Sequence, residues 1–146
     1  MDELDKKIIG ILQRDGRASN AKIARQLGVS EGTIRRRVKR LIEDEAIQVL
    51  ALLDPSKLGY TTEAIVALQV DAGKIEDVAA ELASAPEAMN VSITTGAFDV
   101  FAWVALPSPE ALHGFLQSTV GNIAGVRRSE TFMTMSVKKR IFTPLS

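Results

Sequence analysis

Between Ser19 and Leu41 the chain leaves room for two short helices joined by a two-residue turn, Gly28-Val29. No other feature of the sequence narrows the fold as much. Ser19 stands where an N-cap is favoured, ahead of Ile23, Ala24 and Leu27 on one helical stripe. Gly28 stops that helix, and Ser30 opens the next, with Ile34, Val38, Leu41 and Ile42 on its inner side. An earlier helix is marked by Leu4, Ile8, Ile9 and Leu12 and stopped at Gly16. Three short helices, the last two across a tight turn, predict a helix-turn-helix.

The third of these helices is cationic. In "RRRVKR", five of the six residues from Arg35 to Arg40 are basic. On a helical wheel of about 100° per residue, Gly32, Arg36, Lys39 and Arg40 lie opposite Ile34, flanked by Thr33 and Arg35, with Arg37 at the edge of the apolar stripe. A disordered targeting tail has no reason to sort its charges in this way. From Gly32 to Ile42 every charge is positive, so neutralisation by phosphate is expected, with Lys39–Glu43 and Arg40–Asp44 pairs at the far end. The alternative is a plain solvated helix.

The formal net charge is zero, but it is unevenly spread. Residues 1–50 carry 11 Lys/Arg against 8 Asp/Glu, and residues 51–146 carry 7 against 10. Two domains with different tasks are expected, the first a candidate for nucleic acid. A recognition helix reaches base edges with its first turn. Here Glu31 can accept from cytosine N4, Thr33 can meet the thymine methyl, and Arg36 can fork onto guanine. Gly32 permits close approach to the backbone. The expected DNA-binding set is Arg17, Ser19, Asn20, Ser30, Glu31, Gly32, Thr33, Arg35, Arg36, Arg37, Lys39 and Arg40.

The second half alternates strand and helix. "IQVLALL", Ile47 to Leu53, reads as a strand leading into the turn-rich "DPSKLG". Strands are then expected at Ala64–Val70, Val91–Thr95, Val100–Leu106 and Val126–Arg140. Helices are expected around Ile75, Val78 and Leu82, and from Pro109 with Leu112, Phe115, Leu116 and Val120 inward. The order β-α-β-β-α-β is a ferredoxin-like plan. The fold class is therefore α+β: a winged-type helix-turn-helix domain (1–46), a linker strand and turn (47–60), and a ferredoxin-like βαββαβ domain (61–146). "VFAWVAL" and "AIVALQV" are nearly continuous apolar runs, as in strands buried on both faces. Two helices cover one face, so a second copy of the chain is expected on the other, making a homodimer. The alternative is that the N-terminal domain folds back over the sheet.

Several function classes fall away. The chain has no cysteine, which removes disulfides and thiolate metal sites. Its start, "MDELDKK", lacks a signal-peptide core, and Val100–Leu106 is too short to span a bilayer. A soluble cytoplasmic protein with no membrane partner, metal or cofactor is expected. The single histidine, His113, has no partner of triad or metal spacing and reads as half-exposed and structural.

The N-terminal stretch, with "LD" opening the first helix, "DGR" after it, then "S", "IA..LG.S..TI..RV..L" and the exit "LDPSKLG", resembles the DNA-binding domain of the leucine-responsive regulatory protein/AsnC (Lrp/AsnC) family. "TTGAFDVF" is similar to that family's G-x-x-D turn, and "GVRRSET" to the opening of its last strand. The resemblance covers nearly the whole chain. It implies a prokaryotic, nucleoid-associated transcription factor, dimeric through the βαββαβ domain and often assembled into rings of four dimers. It also implies that a small molecule, usually an amino acid, binds between effector domains and shifts assembly or DNA affinity. The effector site maps to Thr94, Thr95, Gly96, Ala97, Phe98 and Asp99, with Thr131 and Met133 supplied by a neighbouring chain. Backbone N–H groups and hydroxyls there suit a carboxylate, and an aspartate suits an ammonium; an ordinary hairpin turn would use the same letters. Two other functions stay open: a ligand-independent architectural DNA-binding protein, and an enzyme handling tetrapyrroles, since some relatives of the fold are enzymes. One departure stands out: Glu45 occupies the place where the family has glycine after the recognition helix.

Overall fold

The computed structural model describes residues 1–140. The chain forms two compact units, one built on Met1–Leu52 and the other on Leu53–Lys139.

The first unit holds α1 (Glu3–Arg14), α2 (Asn20–Leu27) and α3 (Glu31–Glu43). Each helix starts on the cap its sequence offers. Ser19 Oγ accepts from the Lys22 N–H, and Ser30 Oγ from the Thr33 N–H, both at 3.2 Å. Gly28 closes α2 in the left-handed conformation at φ 67°. Ile8, Ile23 and Ile34, one from each helix, are fully buried against one another, with Ala24 and Leu41 beside them. Apolar burial of this kind holds three short helices that would not persist alone in water.

Helix α3 ends in a Schellman motif. The Glu45 N–H donates to the Ile42 carbonyl at 3.1 Å and the Ala46 N–H to the Leu41 carbonyl at 2.9 Å. The residue at the turning point is Glu45, at φ 53°, the only non-glycine with positive φ among the described residues. The left-handed cap that a glycine would supply is thus formed without one. A left-handed L-residue costs ~1–2 kcal/mol, part of which glycine's unfolded-state freedom would offset. Glu45→Gly should therefore stabilise the helical unit by ~0.5–1 kcal/mol, read as a higher urea midpoint at unchanged slope; a lower midpoint would mean the glutamate side chain makes a contact worth more than the strain.

The second unit is a four-stranded antiparallel sheet, β1 (Thr62–Val70), β2 (Ala88–Ile93), β3 (Val100–Leu106) and β4 (Val126–Met133), in spatial order β2-β3-β1-β4. Helices α4 (Ile75–Ala83) and α5 (Pro109–Ser118) supply Val78, Leu82, Leu112 and Phe115 to the core on one face. From the sheet, the even-numbered residues Ala64, Val66, Leu68, Val100, Ala102 and Val104 join them. The expected βαββαβ order is present, and β1 and β3 pair side by side at the centre of the sheet.

On the opposite face, Phe132, Ile65 and Trp103 stand side by side across β4, β1 and β3. Phe132 is 50% exposed and Trp103 40%. The near-continuous apolar runs thus divide as expected, alternate residues going to the helices and the rest to a face without helices.

Four expectations are corrected. Residues 47–53 form no strand: they have no ladder partner among the described residues, and Leu50, Leu52 and Leu53 are exposed. A strand needs a neighbour, and β propensity alone does not supply one. The last strand stops at Met133 instead of running to Arg140. Its neighbour β1 begins at Thr62, so pairing runs out after the Thr134 N–H reaches the Glu63 carbonyl at 2.8 Å. The second strand is Ala88–Ile93 rather than Val91–Thr95, because its pairing with β3 begins at Val104 and ends at Val100. Val120 lies beyond α5, in a short 3-10 turn, and is still buried.

Candidate nucleic-acid interface

The turn between α2 and α3 fixes where the basic helix begins. Ser30 caps it, and the Thr33 hydroxyl lies 2.9 Å from Ser30 Oγ, so both side chains are engaged in the cap. Glu31, Gly32, Arg35, Arg36, Lys39 and Arg40 are exposed and Thr33 is half-buried. Arg17 and Ser19 are also exposed, and Asn20 opens α2 beside its cap.

The charge on α3 is not left for phosphate alone, contrary to the sequence expectation. Two carboxylates at the start of α1 answer it. Asp2 and Asp5 form a capping box: Asp2 Oδ1 accepts from the Asp5 N–H at 2.9 Å, and Asp5 Oδ2 from the Asp2 N–H at 3.0 Å. Arg37 Nη1 then donates to Asp2 Oδ2 at 2.5 Å and to Asp5 Oδ1 at 2.9 Å. Arg40 Nη2 donates to Asp5 Oδ2 at 2.8 Å. Asp5 is the buried member, its side chain only 1% exposed. The hydrogen bond from Arg37, and then the Asp5 N–H, hold the Asp2 carboxyl down at about 2. The Asp2 N–H, with help from Arg37, lowers Asp5 as well, against the opposing effect of burial. The same bonds raise Arg37.

The expected Arg40–Asp44 pair gives way to this arrangement. The Lys39–Glu43 contact is present at 3.6 Å, and Glu31 pairs with Arg35 at 3.0 Å. Arg36 alone among the α3 cations has no carboxylate partner among the described residues. With Thr33, Arg37 and Arg40 it lines an open notch of about 290 Å³. Asp2 and Asp5 were missed from sequence. The available signal was Arg37, a cation at the margin of an apolar stripe, where only a partner on a neighbouring helix could satisfy it.

The turn mapped as an effector site is ordered by its own bonds. The Thr94 N–H donates to the Asp99 carbonyl at 2.9 Å and Thr94 Oγ1 to the Phe98 carbonyl at 3.0 Å. Asp99 Oδ2 accepts from the Val70 N–H at 2.8 Å, tying the turn to β1. Gly96 sits at φ 109°, and Phe98 packs edge-on against Phe101 at 5.9 Å. Thr94, Thr95, Gly96 and Ala97 are exposed. Thr131 and Met133 are not brought to this turn within one chain. They pair with Val66 and Ala64 on the other flank of β1, whereas the turn adjoins Leu68–Val70.

His113 is exposed on α5. No group of three His, Asp or Glu able to hold a metal occurs among the described residues.

Residues 1–42 match the family model of the AsnC-type helix-turn-helix domain, and residues 63–142 that of the Lrp/AsnC ligand binding domain. An uncharacterized HTH-type transcriptional regulator of Pyrococcus furiosus is 43% identical over 140 residues, 95% of each chain. Among solved structures, AsnC of E. coli superposes with a TM-score of 0.89 at 26% identity, over 98% of this chain and 97% of the other. A transcriptional regulator of Neisseria meningitidis, solved as a complex with L-Met, gives 0.90 at 26% identity, over 99% and 97%.

Proposed function

Because the chain belongs to the Lrp/AsnC family of helix-turn-helix transcriptional regulators, we propose that it binds specific promoter sites as a homodimer under the control of an amino acid. The observation that carries the reading is α3: capped at Ser30, packed through Ile34 and Leu41, and exposing Arg36 with Thr33 behind it. Glu31, Gly32, Thr33 and Arg36 read bases. Arg35, Lys39, Arg17, Ser19, Asn20 and Ser30 position the backbone. The row Phe132–Ile65–Trp103 supports a second copy as the cover of the open sheet face, since isolated soluble chains rarely keep such a patch wet. Rings of four dimers, and association with the nucleoid in the cytoplasm, follow from the family resemblance.

The Thr94–Asp99 turn is the effector site of this reading. The exposed Thr95 hydroxyl and the turn's backbone suit a carboxylate, and Asp99 keeps one carboxylate oxygen for an ammonium after Val70 has used the other. Thr131 and Met133 of a neighbouring chain complete it. The L-Met complex of the Neisseria relative supports an amino acid as the ligand class.

Selection from fragmented genomic DNA at two salt concentrations, with and without the twenty amino acids, tests the whole reading. Enrichment of a few near-palindromic fragments, altered by amino acids, is expected. Uniform salt-sensitive retention would make the protein architectural instead, and no retention at low salt would end the DNA reading. On the selected site, Arg36→Ala should cost ~1–3 kcal/mol and relax discrimination at one base pair. Lys39→Ala should weaken all sequences alike.

A further inference from the structure

The five cations of α3 are not equally available to a nucleic acid. Glu31–Arg35 and Lys39–Glu43 are exposed on both partners. Such pairs are weak and exchange freely for a phosphate. The Asp5 pairs are of another kind. Asp5 is buried, and both its oxygens are committed: Oδ1 to Arg37, Oδ2 to Arg40 and to the Asp2 N–H. Drawing either arginine away to a phosphate would leave part of a buried carboxylate uncompensated, a costly state. No such cost attaches to Arg36.

We infer that Asp5 is a specificity-determining residue: an internal counter-ion that withholds Arg37 and Arg40 from the DNA backbone, so that α3 meets DNA with Arg35, Arg36 and Lys39 alone. The consequence is selective. Phosphate contacts are blind to sequence, so withholding two cations lowers binding to every DNA without touching the base-reading first turn. The ratio of specific to non-specific affinity rises as a result. Asp2, which shares Arg37, reinforces the hold and caps α1 at the same time. The helix keeps its cationic sequence because Arg37 and Arg40 fasten it to α1. This inference rests on α3 being the DNA helix.

The test is the salt dependence of binding by the full-length protein, with the selected site and a random duplex as probes. Each lost phosphate contact flattens the slope of log K against log salt by ~0.9. Lys39→Ala should flatten it by about that amount per protomer. Arg40→Gln should leave the slope at the wild-type value on both duplexes, though it lowers the melting temperature. Asp5→Asn should steepen the slope by about one to two contacts per protomer and tighten random-duplex binding more than specific binding, so the specificity ratio falls. A purely structural aspartate would change stability and leave the slope alone. If Arg40→Gln flattens the slope as Lys39→Ala does, or a folded Asp5→Asn protein keeps the wild-type slope, the inference is overturned. If Asp5→Asn does not fold, Arg40→Gln decides. A wild-type protein that binds neither duplex would instead sink the DNA reading itself.

Discussion

Replacing Ile34 by alanine should unfold the helical unit while the sheet unit stays folded. Ile34 is fully buried and meets Ile8 and Ile23, the fully buried isoleucines of the other two helices. Cutting a buried isoleucine to alanine costs ~2–5 kcal/mol. A unit of this size has a small core, and a loss of that order takes most of its stability. Amide exchange should show it directly: protection lost across α1, α2 and α3 and kept in β1 and β3. DNA binding should vanish with it. Uniform loss of protection over both units would mean that they fold as one.

The second large effect is expected at Gly125, just before β4. It sits at φ 101°, where an L-residue is strained, and an added Cβ would lie 2.8 Å from Lys74 Cβ. That atom is fixed to the backbone at the start of α4, so it cannot swing aside as a side-chain tip would. The Gly125 carbonyl also accepts from the Asp71 N–H at 2.8 Å, so the loop before α4 resists retreat. Gly125→Ala should cost the sheet unit ~2–4 kcal/mol, part backbone strain and part overpacking. Thermal unfolding checks the total. The double variant Gly125→Ala, Lys74→Gly separates the parts, since it removes the collision and leaves the strain. A single variant that melts like wild type would show that the loop moves more easily than its bonds suggest.

These two positions also show what was readable in the chain beforehand. Ile34 announced itself, because an apolar residue four before Val38 and seven before Leu41, behind a serine cap, has only one way to face. The helix starts at Ser19 and Ser30, the stop at Gly28 and the strand Val100–Leu106 were legible for the same reason: each is decided by a few adjacent residues. Contacts made across the chain were not. Asp5 and Arg37 are separated by 32 positions, and neither residue type alone predicts the pair. The clash waiting at Gly125 depends on Lys74, 51 residues earlier. Residues 47–53 have strand composition but no neighbour to bond among the described residues, and β4 stops opposite the start of β1, so length there is set by the partner rather than by the residues themselves. From Thr94 to Asp99 the letters were read correctly as a tight glycine turn. Their relation to Thr131 and Met133 needed the strand order, which puts β1 between them.

The left-handed Glu45 bears on the history of the chain as well as its shape. Both glutamate codons become glycine codons through a single A-to-G transition. The unstrained helix end is therefore one mutational step away, whatever the gene's codon usage. At φ 53°, glycine is both one step away and the better fit to the turn. The carboxylate that such a transition would delete stands next to Glu43 and Asp44, and this acidic run ends the reach of the basic helix.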